Sequence, residues 1–117
     1  MGEYLSTPNK TKHSSEGANA QYKFGASSMQ GWRKSNEDAH IHALDFIPGF
    51  SLFAVFDGHG GAEVAKYCGN HFVDELRNDT NFRNQNYEQA LIDTFVRIDK
   101  MLLTPNGRKE LERIGRQ

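Results

Sequence analysis

The order of patterns along the chain predicts an α+β fold, with strands first and helices after. Period-two alternation and short apolar runs occupy residues 22–56. Apolar residues at spacings of three and four occupy residues 65–102, and Gly60-Gly61 separates the two regimes. Three strands followed by two helices pack as layers rather than as alternating βαβ units.

The elements follow in chain order. Residues 1–21 are rich in Ser, Thr, Lys, Asn and Gly, too polar to offset their ordering entropy by burial, so a flexible N-terminal arm is expected. Tyr22 to Met29 alternates weakly as a first strand, and Gln30 to Glu37 reads as a polar turn. Asp38 to Leu44 alternates, with Ala39, Ile41 and Ala43 on one face and His40, His42 and Leu44 on the other. Pro48-Gly49 signals a hairpin turn into Phe50–Phe56, whose apolar run suggests a strand covered on both faces. Ala65, Cys68, Phe72 and Leu76 form the stripe of a first helix. Asn78 to Gln85 is a polar link. Asn86 with Gln89 resembles a capping box before the Leu91, Phe95, Ile98, Leu102 stripe. Pro105-Asn106-Gly107 is expected to end that helix, leaving a short charged piece over residues 109–117.

Composition narrows the function classes. The chain has 117 residues, 14 basic and 15 acidic, with a net charge of −1. That suits one domain at most and argues against a nucleic-acid partner, which calls for a basic stripe. Cys68 is the sole cysteine, so no internal disulfide forms. No apolar run approaches the roughly 20 residues needed to span a bilayer, and the N-terminus lacks the apolar stretch of a secretory signal. A cytoplasmic or nuclear protein is expected. Gly2 and Ser6 match the N-myristoylation pattern, and an acylated Gly2 would add weak, peripheral membrane association.

Chemistry concentrates in two places. Asp57-Gly58-His59-Gly60-Gly61 falls where an apolar strand gives way to a helix. A carboxylate held by a strand end, and a carbonyl at a glycine free to turn, offer oxygens of the kind Mg2+ and Mn2+ prefer. His59 follows at once, with an imidazole suited to acid–base work. Taken alone, Asp57-Gly58 serves equally as a hairpin turn with a surface histidine after it. Upstream stand Arg33, whose planar fork suits bidentate phosphate binding, and the adjacent acids Glu37 and Asp38. In a strand those two acids point to opposite faces, so they do not both grip one metal directly. At a strand start, either could hold metal-bound water. His40 and His42 share a strand face, but no Cys, Asp or Glu at ligand spacing completes a zinc set.

Together these segments resemble the beginning of the PP2C (PPM) protein phosphatase family. The likeness is carried by Ser27 to Gly31, Trp32-Arg33, Glu37-Asp38-Ala39-His40 and Phe53 to Gly60, and runs from residue 1 to at least Asp99. It implies a metal-dependent serine/threonine phosphatase built on a β-sandwich flanked by helices, with two Mg2+ or Mn2+ ions as cofactors and phosphoserine or phosphothreonine proteins as substrates. By that likeness Asp57 bridges both metals and the Gly58 carbonyl binds one. Glu37 and Asp38 support metal-bound waters, Arg33 holds the substrate phosphate, and His59 donates the proton to the leaving group.

Asn36 departs from the family pattern, where Met often precedes the acidic pair. The later Asp-Gly and Asp-Asn contexts that complete the family's metal site are not found among the 117 residues. Residues 22–117 are therefore expected to form an incomplete phosphatase domain, inactive alone. The alternative is a non-catalytic truncated paralogue acting as an interaction or metal-binding module.

Overall fold

The computed structural model describes residues 4–117. The order is β1 Tyr4–Ala18, β2 Lys23–Arg33, β3 Ala39–Ile47 and β4 Phe50–Phe56, then α1 Glu63–Arg77, α2 Thr80–Arg83, α3 Tyr87–Leu102 and α4 Pro105–Gly115. The α+β expectation holds, with one more strand and two more helices than the patterns predict.

The extra strand lies in the segment expected to be a flexible arm. Residues 4–18 pair antiparallel with β2, in register from Lys12↔Met29 to Ala18↔Lys23. Asn19 turns the hairpin: its Oδ1 accepts the Gln21 and Tyr22 amides at 2.9 and 2.7 Å. The arm's polar composition forecast little burial, and its side chains are indeed mostly exposed. Strand formation here rests on main-chain pairing, which apolar content does not report. Ladder irregularities between Tyr4 and Lys12 surround Pro8, which has no amide to give. Gly2, the acylation candidate, lies outside the described residues.

Strands β3 and β4 form a second antiparallel pair, closed by Pro48-Gly49 with Gly49 at φ +86°. Ala39, Ile41 and Ala43 oppose Phe56, Ala54 and Leu52 on one face. Ile41, Leu52 and Phe56 pack against the helical core. On the other face His40 opposes Val55 and His42 opposes Phe53. That face looks across a cleft of about 500 Å³ towards Phe24 and Ala26 of β2. The hairpin of β1 and β2 touches it at a few points: Phe24 lies 4.6 Å from the His42 ring, and Asn19 Nδ2 donates to Asp45 at 3.0 Å. Strand β4 is thus not covered on both faces, as Val55 remains 71% and Phe53 48% exposed. The helices cover only the face that α1 reaches.

The core is helical: Tyr67, Phe72 and Leu76 of α1, Phe82 of α2, Ala90 and Ile98 of α3, and Ile114 of α4. Helix α3 is rotated from its expected setting. It buries Ala90, Thr94 and Ile98, while Phe95 stays 57% exposed and Leu91 is exposed too. Small residues at 90 and 94 allow close approach to a neighbouring helix, which apolarity alone does not reveal. The Asn86 side chain makes no capping bond; Gln89 donates instead to Asp93 at 2.8 Å.

The supposed polar link contains α2, started by Asp79, whose Oδ1 accepts the Phe82 amide at 3.0 Å. Pro105 opens α4 rather than ending α3. Thr104 Oγ1 accepts the Gly107 amide at 3.0 Å, and proline at the first helical position loses no bond.

Arg97 ties three helices together. Its guanidinium donates to Glu75 Oε1 at 2.8 Å, the Glu75 carbonyl at 3.1 Å, Asp79 Oδ2 at 3.1 Å and Thr94 Oγ1 at 3.3 Å. Burial by itself would raise the pKa of Asp79. The Phe82 amide and Arg97 outweigh it, leaving the carboxyl below the usual carboxylate range.

Candidate functional site

The site forms where residues at the ends of β2 and β4, in separate sheets, line one cavity. Arg33 is the last residue of β2, and Asp57 follows the last residue of β4. The register pairs Ala39 with Phe56, so Asp38 and Asp57 are the next opposed residues, on the same face. They share a side-chain hydrogen bond. Partial desolvation, that bond and the Asp57 charge raise the Asp38 pKa above its ordinary value, while Arg33 pulls it down. Because Asp38 is solvent-exposed, the contact with Asp57 is the cause that carries most weight.

A polar cavity of about 260 Å³ collects these groups, lined by Arg33, Glu37, Asp38, Asp57 and Gly58 together with Met29, Gln30, Ser35 and Asn36. Five of the six residues singled out in the sequence therefore meet. His59 is exposed and does not line this cavity. Glu37 and Asp38 both lie just before β3, and their side chains diverge. Asp38 turns to Asp57, whereas Glu37 Oε2 accepts the Gly61 amide at 2.7 Å.

Two lining residues missed in the sequence have definite tasks. Asn36 Oδ1 accepts the Asp38 amide at 3.2 Å, and Gln30 Nε2 donates to the Arg33 carbonyl at 2.7 Å. Asn36, the departure from the family pattern, thus braces the acidic pair through a two-residue Asx turn. Asn followed two positions later by Asp was the signal available for it.

Glycine is required at position 58. A Cβ there would collide with the Glu37 carbonyl and crowd Ala65 Cβ at 3.1 Å. Two carboxyls on one face, with an arginine and a glycine turn beside them, make an oxygen-rich donor set that suits a hard divalent cation. Two carboxyls this close also repel one another, and a cation between them would relieve that repulsion. The count of donors is small: among the described residues no three His, Cys, Asp or Glu side chains converge as a metal-holding group. His40 and His42 stack at 5.2 Å in the cleft between the hairpins, which Asp38 also lines.

An α+β fold with carboxylates and an arginine at its strand ends carries groups whose chemistry suits cations and oxyanions. Comparison with known proteins gives the class. The chain belongs to the protein phosphatase 2C family, whose model matches residues 22–116. It is 53% identical over 111 residues to "Protein phosphatase 2C 1" of Paramecium tetraurelia, covering 95% of this chain and 37% of that protein. It is 51% identical over 114 residues to "Probable protein phosphatase 2C 4" of the same organism, covering 97% of this chain and 38% of that protein. Against "Probable protein phosphatase 2C 58" of Oryza sativa subsp. japonica the identity is 44% over 115 residues, covering 98% of this chain and 31% of that protein. The chain thus spans less than two-fifths of the length of these relatives.

Proposed function

We propose that residues 22–117 contribute the phosphate- and cation-binding half of a protein serine/threonine phosphatase site. The observation that carries this is the meeting of Arg33, Asp38, Asp57 and Gly58 in one polar cavity. Arg33 binds two oxygens of the substrate phosphate and orients phosphorus for in-line attack. Asp57 and the Gly58 carbonyl would hold Mg2+ or Mn2+. Such ions, when bound, supply positive charge and an acidified water as nucleophile. Asp38 steadies Asp57 and accepts hydrogen bonds from water in the cavity. His59, exposed beside the turn, donates a proton to the departing serine or threonine oxygen.

One carboxylate and one carbonyl do not balance two divalent cations, so the 117-residue chain is inactive alone. A chimera tests the whole reading: this chain's residues 22–116 replace the matching segment of the Paramecium protein phosphatase 2C 1. Hydrolysis of a phosphothreonine peptide with Mn2+, abolished by Asp57→Asn, is expected. A folded chimera without Mn2+-dependent turnover refutes it.

A further inference from the structure

Glu37 is placed differently from its neighbour. Asp38 faces Asp57, but the Glu37 carboxylate reaches 24 positions along the chain to the Gly61 amide, at 2.7 Å in a partly buried setting. The main chain of Glu37 touches the same turn, since its carbonyl occupies the space a Gly58 Cβ would need. Residue 37 thus meets the turn twice, its carbonyl packed against the start and its side chain bonded at the end.

The turn needs such a grip. Gly60 and Gly61 both have positive φ, +69° and +121°. Glycines reach these values without strain, and for the same reason do not hold them. The helix that follows gives little help, because Ala62 at the N-cap of α1 has no side chain that can accept a hydrogen bond. Glu37 instead accepts the amide of Gly61, the residue just before the N-cap, and its negative charge is favourable beside the start of a 15-residue helix.

We propose that Glu37 is a positioning residue that clamps the Gly58–Gly61 turn to the strand end, keeping Gly58 and Asp57 directed into one cavity. The bond to the Gly61 amide gives this carboxylate a task in the turn besides the water-holding that the family resemblance implies. This deepens the reading given under Proposed function and rests on it for the turn's purpose, while the clamp itself is testable without metal.

The two roles separate under substitution. Glu37→Gln keeps an oxygen for the Gly61 amide and loses the charge; Glu37→Ala loses both. In 15N spectra of the metal-free chain, Glu37→Ala should shift the Gly61 amide and speed its exchange with water about tenfold, while Glu37→Gln stays near the parent. Unchanged Ala90 and Ile98 amides verify that each variant is folded. With Mn2+ added, broadening at residues 57–60 should persist in Glu37→Gln and weaken in Glu37→Ala. An unmoved Gly61 amide in Glu37→Ala overturns the clamp. So does a Glu37→Gln variant that keeps the Gly61 signal yet loses the Mn2+ response, since charge would then be what matters. A parent chain with no Mn2+ response refutes the cation reading alone, and the metal-free comparison still decides the clamp.

Discussion

Replacing Arg97 with alanine should destabilise the chain by about 2–3 kcal/mol, and the contacts show where that comes from. The Asp79 side chain is only 4% exposed, and it loses the guanidinium bond at 3.1 Å while keeping the Phe82 amide. A hydrogen bond to a buried charged group is worth about 1.5–3 kcal/mol when one partner is removed. The Glu75 contact is shorter, at 2.8 Å, but its partners are 37% and 30% exposed, so water takes over much of it. It adds about 0.5 kcal/mol. A typical urea dependence turns the sum into a midpoint about 1–2 M lower. Circular dichroism during urea titration at low protein concentration measures this. Adding Asp79→Asn to Arg97→Ala should recover part of the loss, because no buried charge is then left unpaired.

The pH dependence has a definite sign. The Asp79 pKa is lowered in the folded chain, so its contribution is present above the unfolded value of about 3.9 and disappears as pH falls through the folded value. Arg97→Ala should flatten this acid-side loss. A midpoint within about 0.3 M of the parent, with an unchanged acid limb, would refute the network's role.

Other substitutions probe the site and the surface. Gly58→Ala should displace the turn from Glu37 and abolish Mn2+ broadening near His59 while leaving the α1–α3 amides in place; retained broadening would count against the collision. In the chimera, Arg33→Ala should raise KM for a phosphopeptide more than about tenfold with kcat less affected, as loss of a charge-assisted contact requires. His59→Gln should chiefly lower kcat, and the reverse pattern would exchange the two assignments. Val55→Lys should reduce light scattering by the purified chain, because the exposed Phe53 and Val55 lie on a strand able to pair with other chains; equal scattering places the association elsewhere. Co-expression with an N-myristoyltransferase should acylate Gly2 and give a small membrane fraction that Gly2→Ala removes, consistent with an association constant of about 10⁴ M⁻¹. An intact mass showing unmodified Gly2 would end that proposal.

The site was more legible in the sequence than parts of its scaffold. Asp57-Gly58 was visible because an apolar run stops there and a glycine follows, a local pattern. The meeting of Asp38 with Asp57 was less visible, as it depends on register across a hairpin. The first strand escaped notice because its stability lies in main-chain bonds to β2, which a polar composition does not report. In helix α3 the expected Ile98 and Leu102 do reach the core, but Ala90 and Thr94 take the inward places expected for Leu91 and Phe95. Its periodicity fits several rotations, and the choice fell to Ala90 and Thr94, whose smallness suits a close helix contact. The clamp of Glu37 on Gly61 had no sequence signal, since donor and acceptor stand 24 positions apart.

Register is what joins the scaffold to the chemistry. A slip of one residue between β3 and β4 would part Asp38 from Asp57, and shifting β3 by one position would turn His40 and His42 towards the helices. Burying two imidazoles in place of Ile41 and its neighbours is costly, so the apolar face holds the register. That face is held in turn by α1: Phe56 meets Phe72 at 5.7 Å, and Gly69 leaves room for Ala39, whose Cβ would lie 3.6 Å from an added methyl. The N-cap of helix α1, Ala62, also follows directly on the turn that Glu37 grips. The element that fixes which carboxylates face each other is thus continuous with the turn that carries Gly58. Loosening the α1 core should therefore disturb the site from both sides, through the register and through the turn.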